Sequence, residues 1–296
     1  MRLVVTGANG YLGRALCPLL VAQGHAVTTL TRAPFELEGT SNQILHWQQE
    51  EQVRACLQGQ EGIIHLAALA HQAGRSDAAT EALYMTVNFE QTRRLATLAL
   101  ARGVRRFIYI SSIKVNGEAT FGTPYRFDSP AAPQDIYGRS KWAAEQALHQ
   151  LLDGTTTELV IIRPPLIWGG VMKGNLALLQ RLVTMGVPLP FAGLNNRRDL
   201  VSLDNLCSLI ALALVHPEAA GQTLLVSDGQ ARSTADIIRL ITSGLESRPR
   251  LIHCPRWLLA VLALCPGLGA KLDKLSGDLE VDIQPTCARL GWRPKP

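Results

Sequence analysis

Paired cysteines, metal-ligand clusters and long apolar runs are all missing from this chain of 296 residues. Its six cysteines, at positions 17, 56, 207, 254, 265 and 287, show no C-x-x-C spacing and no accompanying histidine cluster. That pattern excludes a zinc ribbon, predicts no metal site, and fits buried free thiols in a reducing cytoplasm. The longest apolar run, Trp257 to Cys265, is too short to span a bilayer. Packing within a lobe is the expectation for it, with docking on a membrane surface beside Arg256 as the alternative. A secretory leader is not expected, because the strand-like start leads straight into a glycine-rich turn, and the expected location is cytoplasmic. Charge is sparse, at 18% of residues with a net +5. It is dispersed apart from short groups such as Arg93-Arg94 and Arg102, Arg105, Arg106, which reads as solvated helix ends or a general attraction for phosphorylated ligands. Nucleic acid is not an expected partner. Internal repeats, low-complexity segments and disordered tracts are absent as well.

What is present is an alternation of strands and helices. At 47% hydrophobic residues the chain can bury a full α/β core and a smaller appended lobe. Predicted strands are Leu3–Thr6, Ala26–Thr31, Gln43–His46, Gly62–Leu66, Arg106–Ser111, Glu158–Arg163 and Thr223–Val226. Between them the pattern predicts helices at Leu12–Gln23, Glu50–Leu57, Tyr84–Arg102, Ile136–Leu152 and Leu203–Val215. Such alternation implies a doubly wound parallel sheet. After Arg163 the pattern loosens into Pro164-Pro165, Gly169-Gly170, Gly186 to Pro190 and the stretch from Pro249 to Pro266. The expected division is residues 1–165 as the sheet domain and residues 166–296 as mainly a smaller lobe, with the strand near 223–226 returning to the sheet.

The amino terminus runs from Val4-Val5 through Thr6-Gly7-Ala8-Asn9-Gly10-Tyr11-Leu12-Gly13 into a helix. Glycines at 7, 10 and 13 let the backbone turn sharply and approach a pyrophosphate, while the helix start offers free N–H groups to the anion. A purely structural strand-to-helix turn is the plainer reading of a glycine trio. Its position after a strand and before a helix favours dinucleotide binding.

Tyr137-Gly138-Arg139-Ser140-Lys141 places a phenol and an ammonium four residues apart on one helical face. A free tyrosine ionises near pH ~10, and a nearby ammonium favours the phenolate. Ser112 lies 25 residues upstream at the end of an apolar strand. A serine hydroxyl beside the phenol can polarise a substrate oxygen. Together the three can protonate a carbonyl or deprotonate an alcohol. Alone, the spacing of Tyr137 and Lys141 is common on solvated helix faces.

These segments carry a family resemblance. TGANGYLG, then HLAA at His65–Ala68, ISS at Ile110–Ser112 and YGRSK at 137–141, in that order, resemble the extended short-chain dehydrogenase/reductases over essentially the whole chain. The resemblance implies a Rossmann-type doubly wound sheet with a smaller C-terminal substrate lobe. It implies catalytic roles for Ser112, Tyr137 and Lys141, with Lys141 also orienting the cofactor ribose and lowering the Tyr137 pKa. Cofactor contacts carry over to Gly7, Asn9, Gly10, Tyr11, Leu12 and Gly13 of the turn, to Leu66, Ala67 and Ala68, to Pro164, and to Tyr137 and Lys141. Asn88 matches a helical asparagine that supports the site, a capping or core role being its alternative. The resemblance extends to nucleotide-sugar epimerases and reductases, and it implies a nucleotide-sugar substrate touching Ser112, Asn175, Phe191 and Arg198. Arg198 and Asn175 match the positions that reach the substrate diphosphate; the alternative for Arg198 is an ion pair with Asp199 or Asp204. Where epimerases carry an asparagine after the sixth strand, this chain has Pro164-Pro165-Leu166. Family members often dimerise through the helices at Tyr84–Arg102 and Ile136–Leu152, so a homodimer is an assembly the resemblance allows.

One further absence bears on the cofactor. NAD-binding members end the second strand with a carboxylate for the ribose 2′-hydroxyl; here Leu30-Thr31-Arg32-Ala33 has none. Arg32 suits a 2′-phosphate, which favours NADP(H) over NAD(H). A second absence bears on the reaction. The 4,6-dehydratases carry an Asp–Glu pair after the strand, whereas Ser112 is followed by Ile113-Lys114-Val115-Asn116. The expectation is therefore a reductase acting on the C4 ketone of a UDP-linked 4-keto-6-deoxy-N-acetylhexosamine, as in surface-polysaccharide synthesis. The alternative on the same fold is a UDP-hexose or UDP-N-acetylhexosamine 4-epimerase. A dinucleotide-sensing regulator is the alternative of another class, and a sensor has no need of a proton donor.

Overall fold

The computed structural model describes residues 1–44, 47, 49–70, 77–172, 174–245, 247–254 and 275–295. Seven strands form one parallel sheet: β1 (Arg2–Thr6), β2 (Ala26–Thr31), β3 (Thr40–Ile44), β4 (Gly62–His65), β5 (Arg106–Ile110), β6 (Glu158–Arg163) and β9 (Gln222–Leu225). Their spatial order is β3-β2-β1-β4-β5-β6-β9. The strand direction of winding reverses between β1 and β4, and in such sheets ligands bind beyond the carboxyl ends at that switch point.

Each central strand is buried on both faces, and its side chains alternate between two apolar layers. Leu3 and Val5 face one layer with Leu16 and Leu20 of α1 (Tyr11–Ala22) and Leu206, Leu209 and Ile210 of α7 (Leu203–Val215). Val4 faces the other, with Val53 of α2 (Glu50–Cys56), Leu95 and Leu98 of α4 (Gln91–Ala101), and Ala144 and Leu148 of α5 (Ile136–Leu152). Of the cysteines, Cys17, Cys56, Cys207 and Cys254 are buried free thiols and Cys287 is half-buried. Burial pushes the Cys17 and Cys207 thiols up to about 12, so both stay inert.

The smaller lobe is built from a two-stranded parallel pair, β7 (Leu166–Trp168) with β8 (Leu200–Ser202), and from α6 (Gly174–Thr184) and α8 (Thr234–Ile241). The last described helix is α9 (Gln284–Leu290). Among the described residues no helix is long and apolar enough to cross a membrane. The apolar run Trp257–Cys265 lies outside the described residues.

Two expected elements differ. The third strand is Thr40–Ile44 rather than Gln43–His46, paired to β2 from Val27↔Thr40 to Thr31↔Ile44; residues 45 and 46 lie outside the described residues. The helix expected at Tyr84–Arg102 starts earlier, as α3 (Ala78–Tyr84), because the Asp77 carboxylate accepts the Thr80 N–H. It then passes through a π-helical segment, Met85–Glu90, before α4. Such bulges mark functional positions, and this one contains Asn88.

Candidate active site

Strand β5 is buried throughout and delivers Ser111-Ser112 to the carboxyl edge of the sheet. The Ser112 hydroxyl oxygen caps the short 3₁₀ turn Ile113–Val115 by accepting the Lys114 N–H at 3.3 Å. Ile113 N–H donates to the Pro164 carbonyl at 3.0 Å, tying that turn to the end of β6. Helix α5 arrives beside it, capped by Asp135, which accepts the Gly138 N–H at 2.7 Å. A Cβ on Gly138 would lie 2.8 Å from the Lys114 carbonyl oxygen. Only glycine permits this approach, and it brings the Tyr137 phenol close enough to Ser112 for that hydroxyl to influence it.

The electrostatics follow from burial. The Tyr137 ring keeps partial exposure to the cleft, yet burial of its phenol is the largest influence and raises its pKa; the Asp135 charge raises it further, against the influence of the Ser112 hydroxyl. Lys141 is not among the groups that shift the phenol. The Lys141 side chain is buried, with Nζ 4.2 Å from the Tyr109 ring centroid. Burial lowers its pKa to about 7, against the favourable charge of Glu145 one turn on. Glu145 is itself held by Arg163, which donates from Nε at 3.0 Å and gives a third nitrogen to Asn116 Oδ1 at 3.1 Å.

On the other side, His65 bridges Thr6 Oγ1 (2.6 Å) and Thr92 Oγ1 (2.8 Å), and burial first, then the Lys141 charge, lowers its pKa to about 3. Asn88 Oδ1 accepts the Leu69 N–H at 2.7 Å; its Nδ2 donates to the Leu69 carbonyl at 3.0 Å and to Ser140 Oγ at 2.9 Å. Asn88 thereby clamps the segment after β4 to α5. It does so as a buried amide, 1% exposed.

The glycine turn suits a dinucleotide. Gly7 has φ +69° and a Cβ there would sit 2.7 Å from Ala67 N, so the turn and the segment Leu66–Ala68 lie against each other at the switch point. A Cβ on Gly10 would meet the Gly7 carbonyl oxygen at 3.0 Å and one on Gly13 would meet Ala8 Cα at 2.5 Å. Helix α1 starts at Gly10 with no side-chain cap, which leaves first-turn N–H groups such as those of Leu12 and Gly13 for an anion. Asn9 is exposed, and the Tyr11 hydroxyl donates to the Gly169 carbonyl, closing the turn against the loop after β7. Arg32 is exposed just past β2.

Residues 3–226 match the NAD dependent epimerase/dehydratase family. The chain belongs to that family. It is similar to a UDP-glucose 4-epimerase of Vibrio cholerae, 37% identical over 99% of this chain and 90% of that protein. It is also similar to the N-acetyl-alpha-D-glucosaminyl-diphospho-ditrans,octacis-undecaprenol 4-epimerase of Escherichia coli O157:H7, 24% identical over 85% of this chain and 75% of that one. Among solved structures, the UDP-glucuronic acid 4-epimerase of Bacillus cereus in complex with NAD superposes with a TM-score of 0.80 at 19% identity, covering 100% of this chain and 92% of that one.

Phe191, expected to touch substrate, lies in the core of the smaller lobe. Phe191 is 4% exposed and packs with Leu176, Leu179 and Ile238 in the lobe's apolar core, because its N–H closes a tight turn onto the Leu189 carbonyl and folds the ring inward. It is a core residue in this structure. Arg198 is half-buried and donates from Nη1 to the Gly277 carbonyl at 2.8 Å. Burial lowers its pKa against the charges of Asp278 and Glu118; the alternative read for it, an ion pair with Asp199 or Asp204, is not among the salt bridges of the described residues. Asn175 lies in the first turn of α6, and its side chain lies outside the described residues. A cavity of about 360 Å³ opens elsewhere, lined by Arg126, Arg197, Asp199 and Gln284 among others and by none of Ser112, Tyr137 or Lys141. Among the described residues no cluster of His, Cys, Asp and Glu could hold a metal ion.

The sequence pattern did not single out Asp135, Glu145 or His65. Asp135 had a readable signal, since an acidic residue directly before a helix is a capping position. Glu145 also had one, four residues after Lys141. His65 opened the HLAA motif without a role of its own, because its partners come from β1 and α4.

Proposed function

We propose that this family member reduces the C4 ketone of a UDP-linked 4-keto-6-deoxy-N-acetylhexosamine, in surface-polysaccharide precursor synthesis, with NADPH as the favoured reductant. The observation that carries the reading is that the Tyr137 phenol lies within reach of the Ser112 hydroxyl at the carboxyl edge of β5, beside the glycine cradle of β1. Residues 7–13, Ala67, Ala68 and Lys141 would hold a nicotinamide dinucleotide, which would supply the hydride for C4. Ser112 donates a hydrogen bond to the ketone oxygen and polarises it. Tyr137 delivers its phenolic proton to that oxygen as the alcohol forms, and its raised pKa keeps the phenol protonated and ready to donate at neutral pH. Residues 113 and 114, Ile and Lys, supply no acid–base pair for elimination of water.

The choice of reductase over epimerase rests on the ribose end. An epimerase recycles one tightly held cofactor; a reductase must release the oxidised form. The exposed Arg32 and the absence of a carboxylate after β2 favour a 2′-phosphate and an exchanging cofactor. The second reading, a UDP-sugar 4-epimerase retaining NAD, is favoured by the 37% identity to the Vibrio cholerae relative. Purification followed by cofactor extraction and an NADPH-consumption assay with a UDP-4-keto-6-deoxy-N-acetylhexosamine separates them. Stoichiometric NADPH oxidation with no co-purified NAD is expected. Retained NAD with interconversion of UDP-hexoses and no NADPH oxidation would replace the reductase with the epimerase. Tyr137→Phe is expected to lower kcat at least ~100-fold in either case, with dinucleotide binding retained.

A further inference from the structure

Beside the triad lies a charge cluster that the reaction described above does not use. Lys114 Nζ makes an ion pair with Asp135 Oδ2 and a second with Glu118 Oε1 at 3.1 Å. The other carboxylate oxygen of Asp135 accepts the Gly138 N–H at 2.7 Å, so the same carboxylate caps the helix that carries Tyr137. The backbone N–H of Lys114 donates to Ser112 Oγ. One residue thus reaches both partners of the substrate oxygen, Ser112 through its main chain and Tyr137 through Asp135.

We propose that Lys114 is a positioning residue for proton transfer: it neutralises the carboxylate that caps the Tyr137 helix, so that the phenolate formed in each turnover does not face an uncompensated anion. This rests on Tyr137 being the proton donor. The groups that face the phenol are Ser112 on the turn after β5, Asp135 at the start of its own helix, and Tyr84 on α3, whose ring centroid is 6.4 Å away. Tyr109 on β5 is near enough to feel Tyr137, and Lys141 follows one turn along α5. Around the ion pair itself stand Glu118 and, beyond it, Arg198, whose guanidinium senses the Glu118 charge. Burial pushes the Asp135 carboxyl upward, but the Lys114 ammonium and the Gly138 N–H outweigh it and hold it below the usual carboxylate range. The carboxylate is therefore ionised at neutral pH, and an anion near a phenol disfavours the phenolate.

The sign of the effect is testable because two substitutions move it in opposite directions. Lys114→Met leaves the Asp135 charge uncompensated and raises the Tyr137 pKa. Asp135→Asn keeps an oxygen for the Gly138 N–H while removing the charge, and lowers it. At several Å, in a half-buried site, each change is worth about one pH unit.

The readout is the ¹³Cζ resonance of Tyr137, followed by NMR against pH in the NADP-bound protein and assigned by its loss in Tyr137→Phe. The expected result is an upward shift in Lys114→Met, a downward shift in Asp135→Asn, and a value between the two in the double variant. A merely structural role would shift both single variants in the same direction or neither, and either pattern overturns the proposal. If Lys114→Met fails to fold, the downward shift in Asp135→Asn decides alone. Failure of the proton-donor reading shows separately, as turnover retained in Tyr137→Phe.

Discussion

Burial, more than pairing, sets the charge state of the ionisable groups around the dinucleotide cradle. Lys141 and His65 sit within one apolar and polar layer between β4, β5 and α5, and each has its charged form disfavoured, to about 7 and about 3 respectively. For His65 the consequence is a pH-dependent stability. A histidine whose folded value lies below its ordinary 6.5 is held neutral by the fold. The stability this contributes is complete above that ordinary value and is lost as the pH falls from there toward the folded value. At about pH 4 the loss is about 3 kcal/mol. Replacing the imidazole in His65→Gln keeps a group able to bridge Thr6 and Thr92 but removes the titration. Thermal melts against pH are expected to fall more steeply below about pH 6.5 in the unsubstituted protein than in His65→Gln. Parallel slopes would show that the imidazole does not carry the dependence.

Close approach governs the elements. Helix α1 comes so near the turn that a Cβ on Gly13 would lie 2.6 Å from the Ala8 carbonyl oxygen, a backbone atom that cannot swing aside. Gly13→Ala is expected to push α1 off β1, costing about 1–3 kcal/mol and weakening NAD(H) binding at least ~10-fold, as read by melting and by titration calorimetry. An unchanged affinity would mean that the turn is not the pyrophosphate cradle. This geometry was legible in the sequence, since the glycine trio falls directly between a β-branched strand and a helix. So were α5 and β6, whose observed limits coincide with those predicted, because Asp135 and Arg163-Pro164 punctuate them sharply. The lobe was much less legible. Strands β7 and β8 span three residues each, too short for a period-two pattern, and their pairing joins segments far apart in the chain. Helix α8 had a signal in Ser233-Thr234-Ala235-Asp236, where Ser233 Oγ accepts the Asp236 N–H and Ile237, Ile238 and Ile241 follow on one face. At the site, the glycine turn, Ser112 and the Tyr137–Lys141 pair stood out in the sequence because each falls within a short motif. The Lys114–Asp135 pair and the His65 bridge did not, because each is assembled by packing between elements.

At the scale of the whole molecule, the end of the chain completes the sheet's core instead of the lobe's. Leu279, Val281, Ile283, Leu290 and Trp292 belong to the same apolar cluster as Leu3 and Val5 of β1 and Leu206 of α7. Asp228, just past β9, gathers the surrounding elements: it accepts from Trp168 Nε1 at 2.6 Å and from Asn205 Nδ2 and the Ser202 N–H at 2.7 and 2.8 Å. Asn205 in turn exchanges hydrogen bonds with the backbone of Lys295, at 2.8 and 3.0 Å. Trp292 is 6% exposed and donates from Nε1 to Ser208 Oγ at 3.0 Å. Removing this indole opens a cavity in the layer that also supports the cradle-bearing β1, and it leaves Ser208 without its donor. Trp292→Ala is therefore expected to destabilise the fold by about 3–5 kcal/mol. Because the lost contacts lie in the cluster shared by β1 and α7, NAD(H) protection against heat should fall together with the helical signal by circular dichroism, in one transition. A melt in which the C-terminal residues become protease-sensitive while the dinucleotide site keeps its original midpoint would show that the tail is a separate unit laid over the sheet.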